Sequence, residues 1–202
     1  NKKKNKKIKK KKKIVNLNIQ KSIIDRLDFS LTSDQLKSLN EINKDLSSSN
    51  KMFRLLQGDV GSGKTIVSLL GAINTINSGF QVAFMAPTEI LARQHFMLAK
   101  KIFPKNINID LISGKSEYKL KKEIYKKLEN NKIDIIFGTH AIFQKKVIFK
   151  KLGLIIIDEQ HKFGVSQRKR LSDKGGPNCD VLLMTATPIP RTLTMTIYGD
   201  MD

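Results

Sequence analysis

RLLQGDVGSGKTIVSLLGAI, from Arg54 to Ile73, sets three glycines and a lysine between two apolar runs. Gly58, Gly63, Lys64 and Thr65 meet the spacing G-x-x-x-x-G-K-[ST], and Gly61 adds a further glycine. Glycines let a backbone turn tightly enough to aim its N–H groups inward around an anion. Met52–Gln57 before the loop reads as a strand. Gly63–Asn77 after it reads as a helix with Ile66, Val67, Leu70 and Ile73 on one face and Gly79 as its stop. Strand, glycine loop and helix in that order form a phosphate cradle, with the helix N-terminus adding positive potential. The expected ligand is ATP, held by Gly58, Gly61, Ser62, Gly63, Lys64 and Thr65. The Lys64 ammonium reaches the β- and γ-phosphates, and the Thr65 hydroxyl holds Mg²⁺.

On either side of the loop, helical and strand patterns alternate. Ser33–Leu46 carries Leu36, Leu39, Ile42 and Leu46 at helical spacing, with Ser33 as N-cap. Strands are expected at Gln81–Met85, Ile107–Ile112, Ile133–Gly138, Leu154–Asp158 and Val181–Thr185. Helices are expected at Thr88–Phe103, which Pro104 ends, and at Ser116–Asn130. Strands apolar throughout and separated by helices mean a mostly parallel sheet with helices on both faces. The fold class is therefore α/β, a domain of the P-loop type.

A nucleotide site that hydrolyses needs carboxylates, and LIIIDEQH at Leu154–His161 supplies two. Four aliphatic residues carry Asp158 and Glu159 to the C-terminal end of a strand, the edge where open α/β sheets bind ligands. Asp158 is the expected Mg²⁺ partner, and Glu159 polarises the attacking water. The catalytic set is then Lys64, Asp158 and Glu159. His161, two residues past the acids, is assigned a coupling role.

Bulk properties point to a polyanion. The 202 residues carry a net charge of +20, and ten lysines lie in Asn1–Lys13. Without that run the chain still holds 28 basic residues against 18 acidic ones. Such a surplus favours nucleic acid through counterion release; solvated lysine-rich helix faces are an equal alternative. Asn1–Lys13 reads as disordered or as a solvated helix, and residues 1–28 as a lead-in or linker to a domain at 29–202. Cys179 excludes an internal disulfide, sits beside a strand as a small core residue, and suggests a reducing, intracellular setting. No apolar run is long enough to span a membrane, and no apolar segment follows the basic run to make a signal peptide. Mean hydropathy, −0.30, is ordinary for a globular chain. The start at Asn1 and the stop at Asp202 suggest a piece of a longer protein.

Asp158-Glu159-Gln160-His161 resembles the DExH signature of superfamily 2 helicases. Thr185-Ala186-Thr187 in LLMTATPIPRT is similar to their motif III, which links the ATP site to movement on nucleic acid. Ala86-Pro87-Thr88-Glu89 resembles motif Ia, and Gly138-Thr139-His140 a later strand-contacting motif. FSLTSDQ, Phe29–Gln35, is placed like their adenine-reading segment, with Gln35 as the base reader. GDVGSGKT, APTEILARQHF, DEQHKFGVSQR and TATPIPRTL together resemble the RecG family of bacterial branched-DNA translocases. The Mfd-like transcription-repair coupling translocases share GTH, FGV and TATPIPRTL. They usually carry a second acid where Gln160-His161 stands, and remain the alternative.

The resemblance covers about Phe29–Asp202 and implies the first RecA-like motor domain of an ATP- and Mg²⁺-dependent DNA helicase acting on replication forks and Holliday junctions. It implies that Thr185 and Thr187 join His161 in coupling, and that Gly138, Thr139 and His140 meet the DNA backbone. Thr88 and Arg93 begin or line a helix whose N-terminus suits a DNA phosphate, although a plain surface role fits Arg93 equally. The resemblance also implies partners absent from these 202 residues: a second RecA-like domain bearing an arginine finger, and a wedge domain for branched DNA. The implied location is the bacterial cytoplasm, at the nucleoid. A third reading is a nucleotide- and DNA-binding module without turnover in isolation.

Overall fold

A computed structural model describes residues 9–114, 117–158 and 175–187. Six strands form one parallel sheet: β1 (Phe53–Gln57), β2 (Gln81–Met85), β3 (Ile109–Ile112), β4 (Ile135–Gly138), β5 (Leu152–Ile157) and β6 (Asp180–Thr185). Their spatial order is β1-β6-β5-β2-β4-β3, and every pair is parallel. The helices are α1 (Leu17–Ile24), α2 (Ser33–Ser47), α3 (Lys64–Asn77), α4 (Glu89–Ile102) and α5 (Tyr118–Glu129), with a 3₁₀ turn at His140–Phe143. The expected α/β sheet is present, with its strand bounds shifted by one or two residues.

The apolar strands explain the layering. β2, β5 and β6 are buried along their whole length, whereas β1 and β3 are half-buried edges. Alternate side chains enter opposite cores, as strand geometry requires. Val82, Phe84, Leu154, Ile156, Leu182 and Met184 face the core shared with α1–α4. Ala83, Met85, Ile155, Ile157, Val181 and Leu183 face the second core, which Ile124 and Leu128 of α5 close.

Helix α3 differs from its sequence pattern. Instead of one apolar face, it buries every residue from Ile66 to Ile76, because α1 and α2 cover its outer side. The fit is close at Gly71, where a Cβ would stand 3.0 Å from Ile42 Cγ2. Three polar side chains caught in this layer are paired with one another, as burial demands, whereas the Thr75 hydroxyl of α3 has no partner among the described residues. Gln20 Nε2 donates to Leu70 O (2.7 Å) and Asn43 Oδ1 (3.1 Å), and Asn74 Nδ2 donates to the same Asn43 oxygen at 2.9 Å.

The expectation of a solvated lysine run fails at Lys10 and Lys13, while Lys9, Lys11 and Lys12 are exposed; residues 1–8 lie outside the described set. Lys10 and Lys13 are 5% and 1% exposed. Both ammoniums converge on the buried Asp180 carboxylate at the foot of β6, at 2.7 and 2.5 Å. Asp180 Oδ1 also accepts the Met52 N–H at 2.6 Å. The backbone N–H of Lys13 and the Lys10 ammonium donate to Leu46 O and Asp45 O near the C-terminus of α2, where the last carbonyls of a helix lack intrahelical α-type partners; Asp45 O also accepts the Ser48 N–H. Burial pulls the Lys10 pKa below its ordinary value against the opposing pull of Asp180. The segment then enters α1, capped by Asn16. The described part of the lead-in thus packs into the body of the domain.

Cys179 is a core residue, and burial pushes its thiol up to about 12. Among the described residues no helix is long and apolar enough to cross a membrane.

Candidate active site

The C-terminal ends of the strands bring the motifs to one edge. Gly58 follows β1, Ala86 follows β2, Gly138 ends β4, Asp158 follows β5 and Thr185 ends β6. β1, at the sheet edge, leads through α3 to β2 on the far side of β6 and β5. The glycine loop therefore opens at the C-terminal edge of the strands, the edge where open sheets bind ligands.

The loop has the conformation its glycines predict. Gly61 and Gly63 sit at φ +81° and +80°, a region costly to residues with a Cβ. Gly63 caps α3 with no side-chain hydrogen bond. The first N–H groups of a 14-residue helix therefore lack intrahelical acceptors and face the loop. The Lys64 ammonium folds back over the loop, donating to Gly58 O (2.5 Å) and Asp59 O (2.7 Å), with the Ser62 hydroxyl at 3.5 Å. Thr65 lies one residue into the helix.

Gln35 stands over this loop. It is the third residue of α2, where its Oε1 accepts Thr32 N–H (2.9 Å) in a capping box. Thr32, rather than the expected Ser33, is the N-cap. The other end of the Gln35 amide donates to Ser62 O at 2.9 Å. The segment expected to read the base is thus fastened to the phosphate loop.

Asp158 is 8% exposed, and its backbone N–H donates to Met85 O at 2.8 Å. Its Oδ2 lies 2.8 Å from His95 Nε2. His95 belongs to α4, and sequence reasoning passes over it although it lies within APTEILARQHF. The signal that could have found it is its i, i+3 relation to Ala92 on the buried face of α4. Glu159 and His161 lie outside the described residues.

Thr185 is fully buried and joins two parts of the edge. Its carbonyl accepts the Gly58 N–H at 3.2 Å. Its hydroxyl meets Thr187 Oγ1 at 3.0 Å and accepts the Thr187 N–H at 3.2 Å.

Thr88, Thr139 and His140 share one cleft of about 320 Å³, which Lys121, Tyr125 and Lys146 complete. Thr88 caps α4, its Oγ1 accepting the Leu91 N–H at 3.3 Å. His140 is exposed, and the Lys146 ammonium stands 5.7 Å from the Tyr125 ring centre. Arg93 is exposed but lines a different hollow, beside Met97 and Ile112. Gly138 is buried, and packing accounts for it: a Cβ there would stand 2.6 Å from Ile112 O. A further hollow, of about 820 Å³, is lined by Phe103, Asn108 and Lys132 at the opposite end of the sheet, away from these groups.

The donors present suit Mg²⁺. A hydroxyl and a carboxylate are hard oxygen ligands, and Mg²⁺ takes one or two protein carboxylates together with phosphates and water. Among the described residues no hydrogen bond occupies Asp158 Oδ1.

The model of the DEAD/DEAH box helicase family matches residues 32–196. The chain is similar to the ATP-dependent DNA helicase RecG of Streptococcus pneumoniae, 51% identical over 87% of this chain and 26% of that protein. The protein of the same name from Borreliella burgdorferi is 47% identical over 95% and 28%. The chain thus spans about a quarter of the length of these relatives. A solved structure of RecG bound to a three-way DNA junction superposes with a TM-score of 0.82 at 41% identity, covering 96% of this chain and 26% of that one. The Hef helicase domain of Pyrococcus furiosus shares the fold, with a TM-score of 0.66 at 19% identity over 83% and 35%.

Proposed function

The chain belongs to the DEAD/DEAH box helicase family, and we propose that it is the ATP-binding first motor domain of a RecG-like DNA translocase that remodels branched DNA. The observation that carries this reading is the meeting of the glycine loop, Asp158 and Thr185 at one sheet edge beside the Thr88–His140 cleft. The RecG name of relatives at 47% and 51% identity supports it over the transcription-coupled alternative. Acting on forks and junctions places the work at the nucleoid.

In this reading the α- and β-phosphates lie against the uncapped N-terminus of α3. Lys64 exchanges its loop carbonyls for phosphate oxygens. Bound Mg²⁺ supplies charge neutralisation on the phosphates, with Thr65 and Asp158 as its protein partners. Gln35 spans from the loop toward the base, and Glu159 orients the water. Thr185 passes changes at the loop to Thr187, as it hydrogen-bonds both. A second motor domain, bearing the arginine finger, completes the site. Without it, turnover is expected to be lower by about 10³–10⁵-fold.

The test is a titration of a fluorescent ATP analogue with Mg²⁺ into the chain and into Lys64→Ala. Saturable binding by the chain and its loss in the variant is the expected outcome. Equal binding by both removes the loop from the site.

A further inference from the structure

We propose that His95 is a positioning residue for the Mg²⁺-holding carboxylate: its Nε2–H bond to Asp158 Oδ2 aims Oδ1 at the metal and fastens the carboxylate to helix α4. This deepens the ATP·Mg²⁺ reading above and rests on it. An ionised carboxylate only accepts hydrogen bonds, so the 2.8 Å contact requires the hydrogen on Nε2. Both side chains are almost enclosed, at 11% and 12% exposure, so water competes little for the bond.

The ring itself is held. Its centre lies 4.8 Å from that of Phe84, which stacks on Phe137 at 5.1 Å, and α4 fixes its backbone. The carboxylate is fixed from the other side by its strand, through Asp158 N–H to Met85 O. A metal-holding carboxylate that leans on one rigid donor keeps one oxygen committed and presents the other in a single direction. α4 is also the helix that Thr88 caps above the 320 Å³ cleft, so the carboxylate shares a rigid element with the proposed DNA surface.

The test uses His95→Phe, which keeps a ring against Phe84 but removes the donor, and His95→Gln, which returns an N–H donor at similar reach. Binding of a fluorescent ATP analogue is measured in EDTA and across a MgCl₂ series, with thermal melts alongside. For His95→Phe the expected result is unchanged affinity in EDTA and a Mg²⁺ midpoint raised by about 10–100-fold. His95→Gln should stay within a few-fold of the parent, and His95→Leu, which also lacks a donor, takes the place of His95→Phe if that variant does not fold. A parental Mg²⁺ midpoint in His95→Phe overturns the proposal. So does an EDTA affinity that falls in step with the Mg²⁺ affinity, which marks a purely structural role, or a His95→Gln shift as large as that of His95→Phe. Absence of nucleotide binding by the parent chain strikes the ATP reading itself, and this inference with it.

Discussion

Gly61 and Gly63 share nearly the same positive φ, yet their surroundings differ. A Cβ on Gly61 meets nothing within 4 Å; one on Gly63 falls 2.3 Å from Gln35 Nε2. Alanine at either position should cost about 1–2 kcal/mol for the left-handed backbone, read from urea unfolding. Only Gly63→Ala also drives the Gln35 amide off the Ser62 carbonyl. Nucleotide affinity should therefore fall further in Gly63→Ala than in Gly61→Ala. Equal losses would mean that the Gln35–loop contact plays no part in binding. The loop conformation itself was legible, because its glycines can hold backbone angles that other residues resist. Gln35 was legible as a site residue only by resemblance, and its bond to Ser62 needed the fold, since 27 residues separate the two.

At the level of elements, α1 packs on α3 while the N-terminal strap holds the foot of the sheet. One carboxylate there satisfies two ammoniums and a backbone N–H, all out of water. Asp180→Ala leaves buried charges without a partner and should cost about 3–5 kcal/mol. Replacing Lys10, Lys13 and Asp180 together by apolar residues of similar size should cost much less, since desolvation offsets much of the attraction in a buried pair. Chemical denaturation of the two variants compares these, and equal losses would mean that the attraction within the cluster outweighs its desolvation cost. Ten lysines in thirteen residues look alike in sequence. Which ones are buried depends on an acid 167 and 170 positions away. A weak local sign existed: Asp180 opens an otherwise apolar strand.

Across the molecule, the strap removes Lys10 and Lys13 from any role in binding polyanions. Lys121 and Lys146, in the cleft with Thr88 and His140, are the better candidates. Removing one ammonium that neutralises a phosphate should flatten the slope of log affinity against log salt by about 0.7–0.9. Lys121→Ala and Lys146→Ala are thus expected to flatten the slope for a DNA probe followed by fluorescence anisotropy. Lys10→Met with Lys13→Met should leave it unchanged. A flatter slope in the strap variant would return those lysines to the DNA surface.

The parallel sheet, the order of its strands and of α2 to α5, and the glycine loop were readable from the residues alone, because apolar periodicity and glycine torsions are local properties of a chain; α1 was not. The place of Asp158 at a strand end was readable too, since the aliphatic run of Leu154–Ile157 stops at that acid. It took the folded chain to show that His95 meets Asp158, that α3 is buried on every side, and that two lysines of a charged run lie inside. Each of these depends on which distant surface covers a residue. Burial, not residue type, sets whether a lysine is a solvated charge or one side of an ion pair, and whether a histidine is a packed ring or the donor that holds a carboxylate.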